Sequence, residues 1–152
     1  MQFITSCLFG LEKFVGEDID ALGYKRIETI DGRVTFEGDI SAVARGNINF
    51  RYSERVYIKL GEFEAFSFTE LFDNVEKLKF SDFINKDDEI IVTGSSVRSK
   101  LFSVRDCQSI IKKAIIKSLE KSYGVTFFPE TGVKKRIEFF IFNDKTLSII
   151  CS

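Results

Sequence analysis

Basic side chains are concentrated in one part of this chain. Residues 95–136 contain ten lysines and arginines and three acidic residues, which gives a local charge of +7. Because the whole chain has 22 basic and 23 acidic residues, the remainder holds 12 basic and 20 acidic ones. The net charge of -1 therefore hides a basic region within an otherwise acidic chain. Such a separation of charge indicates a polyanionic partner, whose phosphates the basic groups would bind.

Three segments supply the candidate anion-binding residues. The first is a polar stretch before a long predicted helix, where free backbone N–H groups and the helix dipole favour phosphate. The second is the outward side of that helix, and the third is a basic run at the start of a later strand. The candidates are Ser96, Arg98, Ser99, Lys100, Arg105, Lys112, Lys113, Lys117, Lys134, Lys135 and Arg136. A solvated surface explains any one lysine, but ten bases in 42 residues favour binding.

Start and stop signals predict the helix that positions these groups. Ser103, with Asp106 three residues later, resembles a capping box, and Gly124 is placed to end the helix in a left-handed conformation. Apolar residues at helical spacing predict a buried face formed by Val104, Cys107, Ile111, Ala114, Ile115 and Leu119. The basic residues then lie away from this face.

Composition excludes several kinds of catalytic site. The chain has no histidine, which removes Ser-His-Asp and Cys-His catalysis and nearly all catalytic zinc sites. Cys7, Cys107 and Cys151 form no C-x-x-C pair, and we interpret them as small buried apolar residues. Residues 94–100 superficially resemble a phosphate-binding loop, but they lack the glycine beside the lysine, and no G-x-G-x-x-G occurs.

Clustered carboxylates are predicted to be exposed and without a chemical role. They occur in a predicted turn, at a strand end and on the polar side of the first helix: Glu17, Asp18, Asp20, Glu62, Glu64, Asp87 and Asp88. The sequence leaves two further points open. The first concerns Arg45, Arg51 and Arg55, which would either form local ion pairs or extend the basic surface. The second concerns Phe127 and Phe128: we interpret them as core residues, and the alternative is that they are stacking platforms for bases.

The termini give two expectations about context. No apolar run approaches the roughly 20 residues that a membrane span needs, and the N-terminus lacks the features of a signal peptide, so we expect a cytoplasmic protein. The apolar strand that ends at Ser152 suggests the front portion of a longer polypeptide.

Hydrophobic patterning predicts an α/β (α+β) protein with two subdomains. Residues 1–63 give the order strand, helix, strand, strand, helix, strand, which is the split βαβ pattern of a ferredoxin-like unit. Residues 64–152 begin with the capping box of Ser67 and Glu70 and continue with a helix, a strand, the long helix and two closing strands. The apolar run at 89–93 is typical of a strand buried on both faces.

Many short segments resemble one family in order and spacing over essentially the whole chain. TSCLFGLE (5–12), GRVTFEG (32–38), ARGN (44–47) and RYSERV (51–56) resemble the N-terminal region of bacterial guanine-N2 methyltransferases that act on large-subunit ribosomal RNA. LGEF (60–63), FTELF (68–72), SSVRSKLFS (95–103) and FPETG (128–132) resemble the THUMP domain of those enzymes.

The resemblance implies a ferredoxin-like subdomain followed by a THUMP RNA-binding domain. It also implies a catalytic domain that uses S-adenosylmethionine, but the Asn-Pro-Pro-Tyr-type motif of such a domain is absent from this sequence. We therefore expect no methyl transfer, and no bound cofactor, in this chain by itself. Matching the family's basic loop and helix selects Ser96, Arg98, Ser99, Lys100 and Arg105, which charge and capping had also indicated.

Two hypotheses follow, and a third is disfavoured. The chain is an RNA-capturing module that binds backbone phosphates, or it is a structural or protein-interaction domain that spaces or dimerises a catalytic unit. The second hypothesis predicts an apolar patch around Ile116 and residues 147–151. A small stand-alone enzyme is disfavoured because histidine and the nucleotide-binding motifs are missing.

Overall fold

A computed structural model describes residues 1–151, with side chains described for residues 1–145. The chain forms two compact units: one contains Met1–Lys59 and Cys151, and the other contains Leu60–Ile150. The boundary in the chain falls after Lys59, within strand β4 (Ser53–Glu64), whereas the sequence predicted it after residue 63. A boundary within a continuous strand has no glycine-, proline- or serine-rich linker to mark it, so the sequence indicated a boundary only near the end of the strand.

The first unit has the ferredoxin-like arrangement that the sequence predicted. Its strands follow the order β2-β3-β1-β4, and the neighbouring pairs are antiparallel. Gly32, at a φ of 80°, makes the tight turn between β2 and β3. The elements before β4 are β1 (Gln2–Cys7), α1 (Glu12–Ala21), β2 (Lys25–Ile30), β3 (Arg33–Glu37) and α2 (Ala42–Asn49).

Three phenylalanine rings form part of the core of this unit. Phe3 and Phe36 are fully buried, and their ring centroids lie 5.6 Å apart on the paired strands β1 and β3. Phe50 meets Phe36 edge-on at 5.7 Å, in the geometry that aromatic quadrupoles favour. These three rings pack within a core that also contains aliphatic side chains such as Ile4 and Val15.

Local contacts explain two arginines of the first unit and correct one prediction. Asp18 was expected to be exposed, but it is 7% exposed and accepts hydrogen bonds from the backbone N–H and the guanidinium of Arg51. This carboxylate raises the pKa of Arg51. Arg45 donates to the hydroxyl of Tyr24 and lies over its ring. These arginines thus serve local structure.

The second unit contains the long helix and its neighbours. Strands β7, β6 and β5 lie in that order, and β5 and β6 are parallel. Ser67 and Ser103 cap their helices by accepting the N–H of Glu70 and Asp106, and Gly124 ends the long helix at a φ of 67°, so the predicted signals are confirmed. The elements are α3 (Phe68–Glu76), a 3-10 turn (Phe80–Asp82), β5 (Glu89–Val97), α4 (Val104–Tyr123), β6 (Lys134–Phe142) and β7 (Lys145–Cys151).

Strand β5 differs from its prediction in burial and in length. Ile90 and Val92 are buried whereas Ile91 is half-buried, so one face of β5 is covered and not both. The strand continues to Val97, and Gly94 therefore lies within the sheet. A Cβ on Gly94 would come within 2.3 Å of the carbonyl oxygen of Phe139 on β6. Glycine is needed here for close strand packing.

A further carboxylate has a structural role that the sequence did not indicate. Asp88 was predicted to be exposed, but it is 5% exposed and accepts the backbone N–H of Asn85 at 2.8 Å. Cys7 and Cys107 are buried as predicted, and burial raises the pKa of both thiols. The side chain of Cys151 lies outside those described.

Two kinds of feature are absent from the described residues: a helix that could span a membrane and a cluster of metal ligands. None of the helices there is both long enough and apolar enough to cross a bilayer. Within the same part of the chain, no group of three or more cysteine or carboxylate side chains is arranged to hold a metal ion.

Candidate nucleic-acid interface

Helix α4 presents a row of exposed cations. Arg105, Lys113 and Lys117 are all exposed and are separated by multiples of four residues, which places them along one gently turning side of the helix. Asp106 and Glu120 fall within the same arc, so the row is basic but not free of acids. Lys121, at the end of the helix, is tied to Glu76 of α3.

Lys112 faces an open groove between α4 and β5. The groove has a volume of about 510 Å³. Lys112 is half-buried, and its ammonium lies 3.4 Å from a carboxylate oxygen of Glu130. The groove is lined by Glu89, Ile90, Ile91, Val92, Gln108, Ser109, Lys112, Lys113 and Ile116. Two lysines at the helix edge thus share this groove with an apolar floor and nearby acids.

The basic loop, which we define as residues 98–102, is shorter than the sequence suggested because β5 reaches Val97. Asp144, in the turn between β6 and β7, holds this loop in place. Its carboxylate accepts the backbone N–H of Lys100 at 2.8 Å, and its own N–H donates to Ser99 Oγ at 2.9 Å. Its carbonyl accepts the N–H of Ala65 at 2.9 Å. Two distant segments, the basic loop and the start of the segment before α3, therefore converge on Asp144.

The two candidate serines in this region are engaged in internal hydrogen bonds. Ser96 donates its hydroxyl to the carbonyl of Leu101, and Ser99 donates to the carbonyl of Val97 while accepting from Asp144. Their observed role is to shape the loop. The charged residues of the loop, Arg98 and Lys100, are both exposed to solvent.

Arg98 and Lys100 are presented from a constrained backbone. Arg98 has a φ of 52°, in the left-handed region that a non-glycine residue adopts only where its surroundings enforce it. The ammonium of Lys100 lies 5.3 Å from the centroid of the Phe66 ring, within cation–π range. The loop therefore offers two exposed cations, and one of them lies over an aromatic ring.

The basic run on β6 is divided between the two faces of the sheet. Ile137 and Phe139 point to the buried face, and Lys135 shares that face by strand alternation. Lys134 and Arg136 are exposed on the opposite face. The basic loop leads directly into α4, whereas Lys134 and Arg136 lie on the exposed face of β6, opposite the face of Lys135.

Sequence reasoning missed four residues that shape this surface. Asp144 and Glu130 organise or neutralise basic groups, Phe102 is the exposed last residue of the basic loop, and Phe66 is an exposed aromatic that contacts Lys100 of this loop. The sequence did predict the loops that contain Glu130 and Asp144, but it gave no sign that these two residues contact basic groups. Both have positive φ values in the structure, 51° and 65°.

Two protein-family models match this chain, one in each half. Residues 2–57 match the RlmL ferredoxin-like domain, and residues 65–149 match the THUMP domain. YpsC of Bacillus subtilis (strain 168), named as a candidate RNA methyltransferase, is 34% identical over 146 residues. That alignment covers 95% of this chain and 38% of YpsC.

Two further relatives agree with this assignment. Ribosomal RNA large subunit methyltransferase K/L of Cellvibrio japonicus (strain Ueda107) is 28% identical over 129 residues, which are 82% of this chain and 16% of that protein. The crystal structure of a possible methylase from Clostridium difficile 630 superimposes with a TM-score of 0.95 and 40% identity, covering 99% of this chain and 41% of that one. The chain thus spans less than half the length of these relatives. It belongs to the THUMP family and carries an RlmL ferredoxin-like domain ahead of its THUMP domain.

Proposed function

We propose that this chain captures structured RNA through its backbone phosphates for an attached RNA methyltransferase domain. The observation that carries the proposal is the grouping of exposed cations on the basic loop and on α4. Arg98, Lys100, Arg105, Lys113 and Lys117 form no ion pair with any side chain described for residues 1–145. Phosphate contacts of this kind position an RNA without reading its sequence.

The finer part of the proposal concerns the reaction that the capture serves. The family resemblance supports transfer of a methyl group from S-adenosylmethionine to N2 of a guanine in large-subunit ribosomal RNA, by a catalytic domain of the same polypeptide in the cytoplasm. The name of the Cellvibrio japonicus relative supports the choice of large-subunit ribosomal RNA. This chain would contribute binding and orientation, and the attached domain would hold the cofactor.

Salt dependence of RNA binding tests the capture step. Folded ribosomal RNA fragments are titrated with the chain at several salt concentrations, and binding is followed by fluorescence anisotropy of labelled RNA. With roughly four to six phosphates neutralised, we expect the logarithm of the binding constant to fall with the logarithm of salt concentration with a slope on the order of -3 to -5. Absence of binding at low salt contradicts the proposal.

The alternative function is a domain that spaces or dimerises the catalytic unit. It predicted an apolar patch around Ile116 and residues 147–151. Ile116 is half-buried in the groove beside Lys112, and the side chains of residues 147–151 lie outside those described. Sedimentation separates the two functions: a monomer that binds RNA supports capture, and a dimer indifferent to RNA supports the alternative.

Glu130 is expected to oppose RNA binding by occupying Lys112. The Glu130→Gln change removes the carboxylate that lies 3.4 Å from the Lys112 ammonium and leaves a side chain of the same size. Because the freed lysine becomes available to phosphate, we expect RNA affinity at low salt to rise about two- to fivefold, corresponding to a partly exposed pair worth up to about 1 kcal/mol. Anisotropy titration measures the change.

The control for this prediction is Glu76→Gln. Glu76 pairs with Lys121, which is not among the candidate binding residues, so the variant removes the same charge from another ion pair of α4. An equal gain in both variants would indicate a general effect of net charge. A loss of affinity in Glu130→Gln would show that Glu130 shapes the surface and does not compete with phosphate.

A further inference from the structure

Phe102 is a large apolar side chain held out in solvent. It is 80% exposed, whereas the preceding Leu101 is 3% exposed. The carbonyl of Leu101 accepts the hydroxyl of Ser96, and the following Ser103 caps α4 by accepting the N–H of Asp106 at 3.4 Å. The backbone on both sides of Phe102 is thus fixed. Its ring is presented outward from an anchored position, where part of the entropy cost of ordering it has already been met.

The surroundings of Phe102 are cationic. Lys100 lies two residues before it and Arg98 four residues before it, and both are exposed. Lys100 is also placed over Phe66, which is 45% exposed. Asp144 also contacts this loop, and its carboxylate accepts a hydrogen bond from the backbone N–H of Lys100. Exposed aromatic and cationic groups therefore occur within five residues of one hydrogen-bonded loop.

This combination matches the chemistry of an unpaired nucleotide. A cation binds the phosphate of any RNA, but a flat ring gains stacking energy only from a base whose face is accessible. In a continuous duplex the base faces are stacked on each other. A surface that offers only lysine and arginine would not distinguish the two cases, whereas one that adds an exposed phenylalanine would.

We propose that Phe102 stacks on an unpaired base of the RNA while Arg98 and Lys100 hold the adjacent phosphates. This inference rests on the proposed function and deepens it, because it names the feature selected: a loop, bulge or strand end with an accessible base. The module would then prefer such RNA over a duplex of equal charge.

Alanine substitution separates stacking from charge. We expect Phe102→Ala to weaken binding of a hairpin RNA with an unpaired loop about tenfold, as one lost base stack would. The salt slope should stay unchanged because no charge is removed. Affinity for a fully paired duplex should also stay unchanged, and Phe102→Tyr should restore hairpin binding.

Phe127→Ala is the matched control. Phe127 is 76% exposed, so it is not a core residue, and it follows α4 in the chain whereas Phe102 precedes the helix. We expect this variant to bind the hairpin like the unaltered chain. If Phe102→Ala matches the unaltered chain, or if both variants lose affinity equally, the stacking inference is overturned.

A tryptophan at the same position gives a direct signal. The chain has no tryptophan, so Phe102→Trp introduces a single reporter. Stacking on a base should quench its fluorescence when the hairpin is added, and the duplex should leave it nearly unchanged. Binding without quenching overturns the stacking inference but leaves phosphate capture intact. If neither RNA binds, capture and stacking both fail.

Discussion

Replacing Arg98 and Lys100 together with alanine will weaken RNA binding about 30- to 100-fold at low salt. Each side chain is exposed on the basic loop, and each is expected to make one charge-assisted hydrogen bond to phosphate worth roughly 1 to 1.5 kcal/mol. Losing two phosphate contacts should also make the salt slope shallower by about 1.4 to 1.8, since each contact contributes about 0.7 to 0.9. Anisotropy titrations at several salt concentrations measure both quantities.

The control is the pair Lys77→Ala and Lys79→Ala. These lysines are exposed, belong to the same unit and follow α3, so the double variant loses the same charge away from the basic loop. We expect its affinity to change less than threefold and its slope to stay close to that of the unaltered chain. Equal losses in the two double variants would mean that net charge, and not the position of the cations, governs binding.

The Gly94→Ala change will destabilise the second unit by about 2 to 3 kcal/mol. The added Cβ would lie 2.3 Å from the carbonyl oxygen of Phe139 and 2.5 Å from a carbon of its ring. Because the nearest atom is backbone of the paired strand β6, the clash is relieved only by moving β5 away from β6. We expect the midpoint of thermal unfolding of this unit, followed by circular dichroism, to shift down by about 8 to 20 °C.

The neighbouring Ser95→Ala is the control for this strand. Ser95 is exposed and adjoins Gly94 on β5, so its truncation should change the midpoint by less than about 1 to 2 °C. A Gly94→Ala midpoint within that range would show that β5 and β6 can separate locally at little cost. The two outcomes are distinguishable without any RNA, so this prediction is independent of the proposed function.

Local features of both units were readable from the sequence because they depend on residues close together in the chain. Ser67 and Ser103 bind N–H groups three residues away, and Gly124 ends α4 through its own backbone conformation. The periodicity of apolar residues likewise identified the buried face of α4, although Val104, which was predicted to lie on it, is half-buried. The charge of +7 in residues 95–136 located the candidate surface without any coordinates.

Burial of individual residues was predicted less well. The sequence predicted that the carboxylates of Asp18 and Asp88 are exposed, but both are buried. Each carboxylate accepts a hydrogen bond from a backbone N–H group, which offsets the cost of its burial. Ile91 belongs to an apolar run that suggested burial on both faces, yet it is half-buried. Whether one face of a strand is covered depends on which helices pack on it, and that packing is not a property of the strand's own residues.

The sequence by itself determined the element order, the helix ends and the accumulation of positive charge. Tertiary structure decided which charges act together. The backbone N–H of Lys100 donates to Asp144, 44 residues away, and Lys112 of α4 pairs with Glu130 in the loop that follows the helix. Patterns over three or four residues fix local hydrogen bonds and faces, whereas contacts between distant segments exist only once the chain has packed, which is why the frame of the basic loop could not be foreseen.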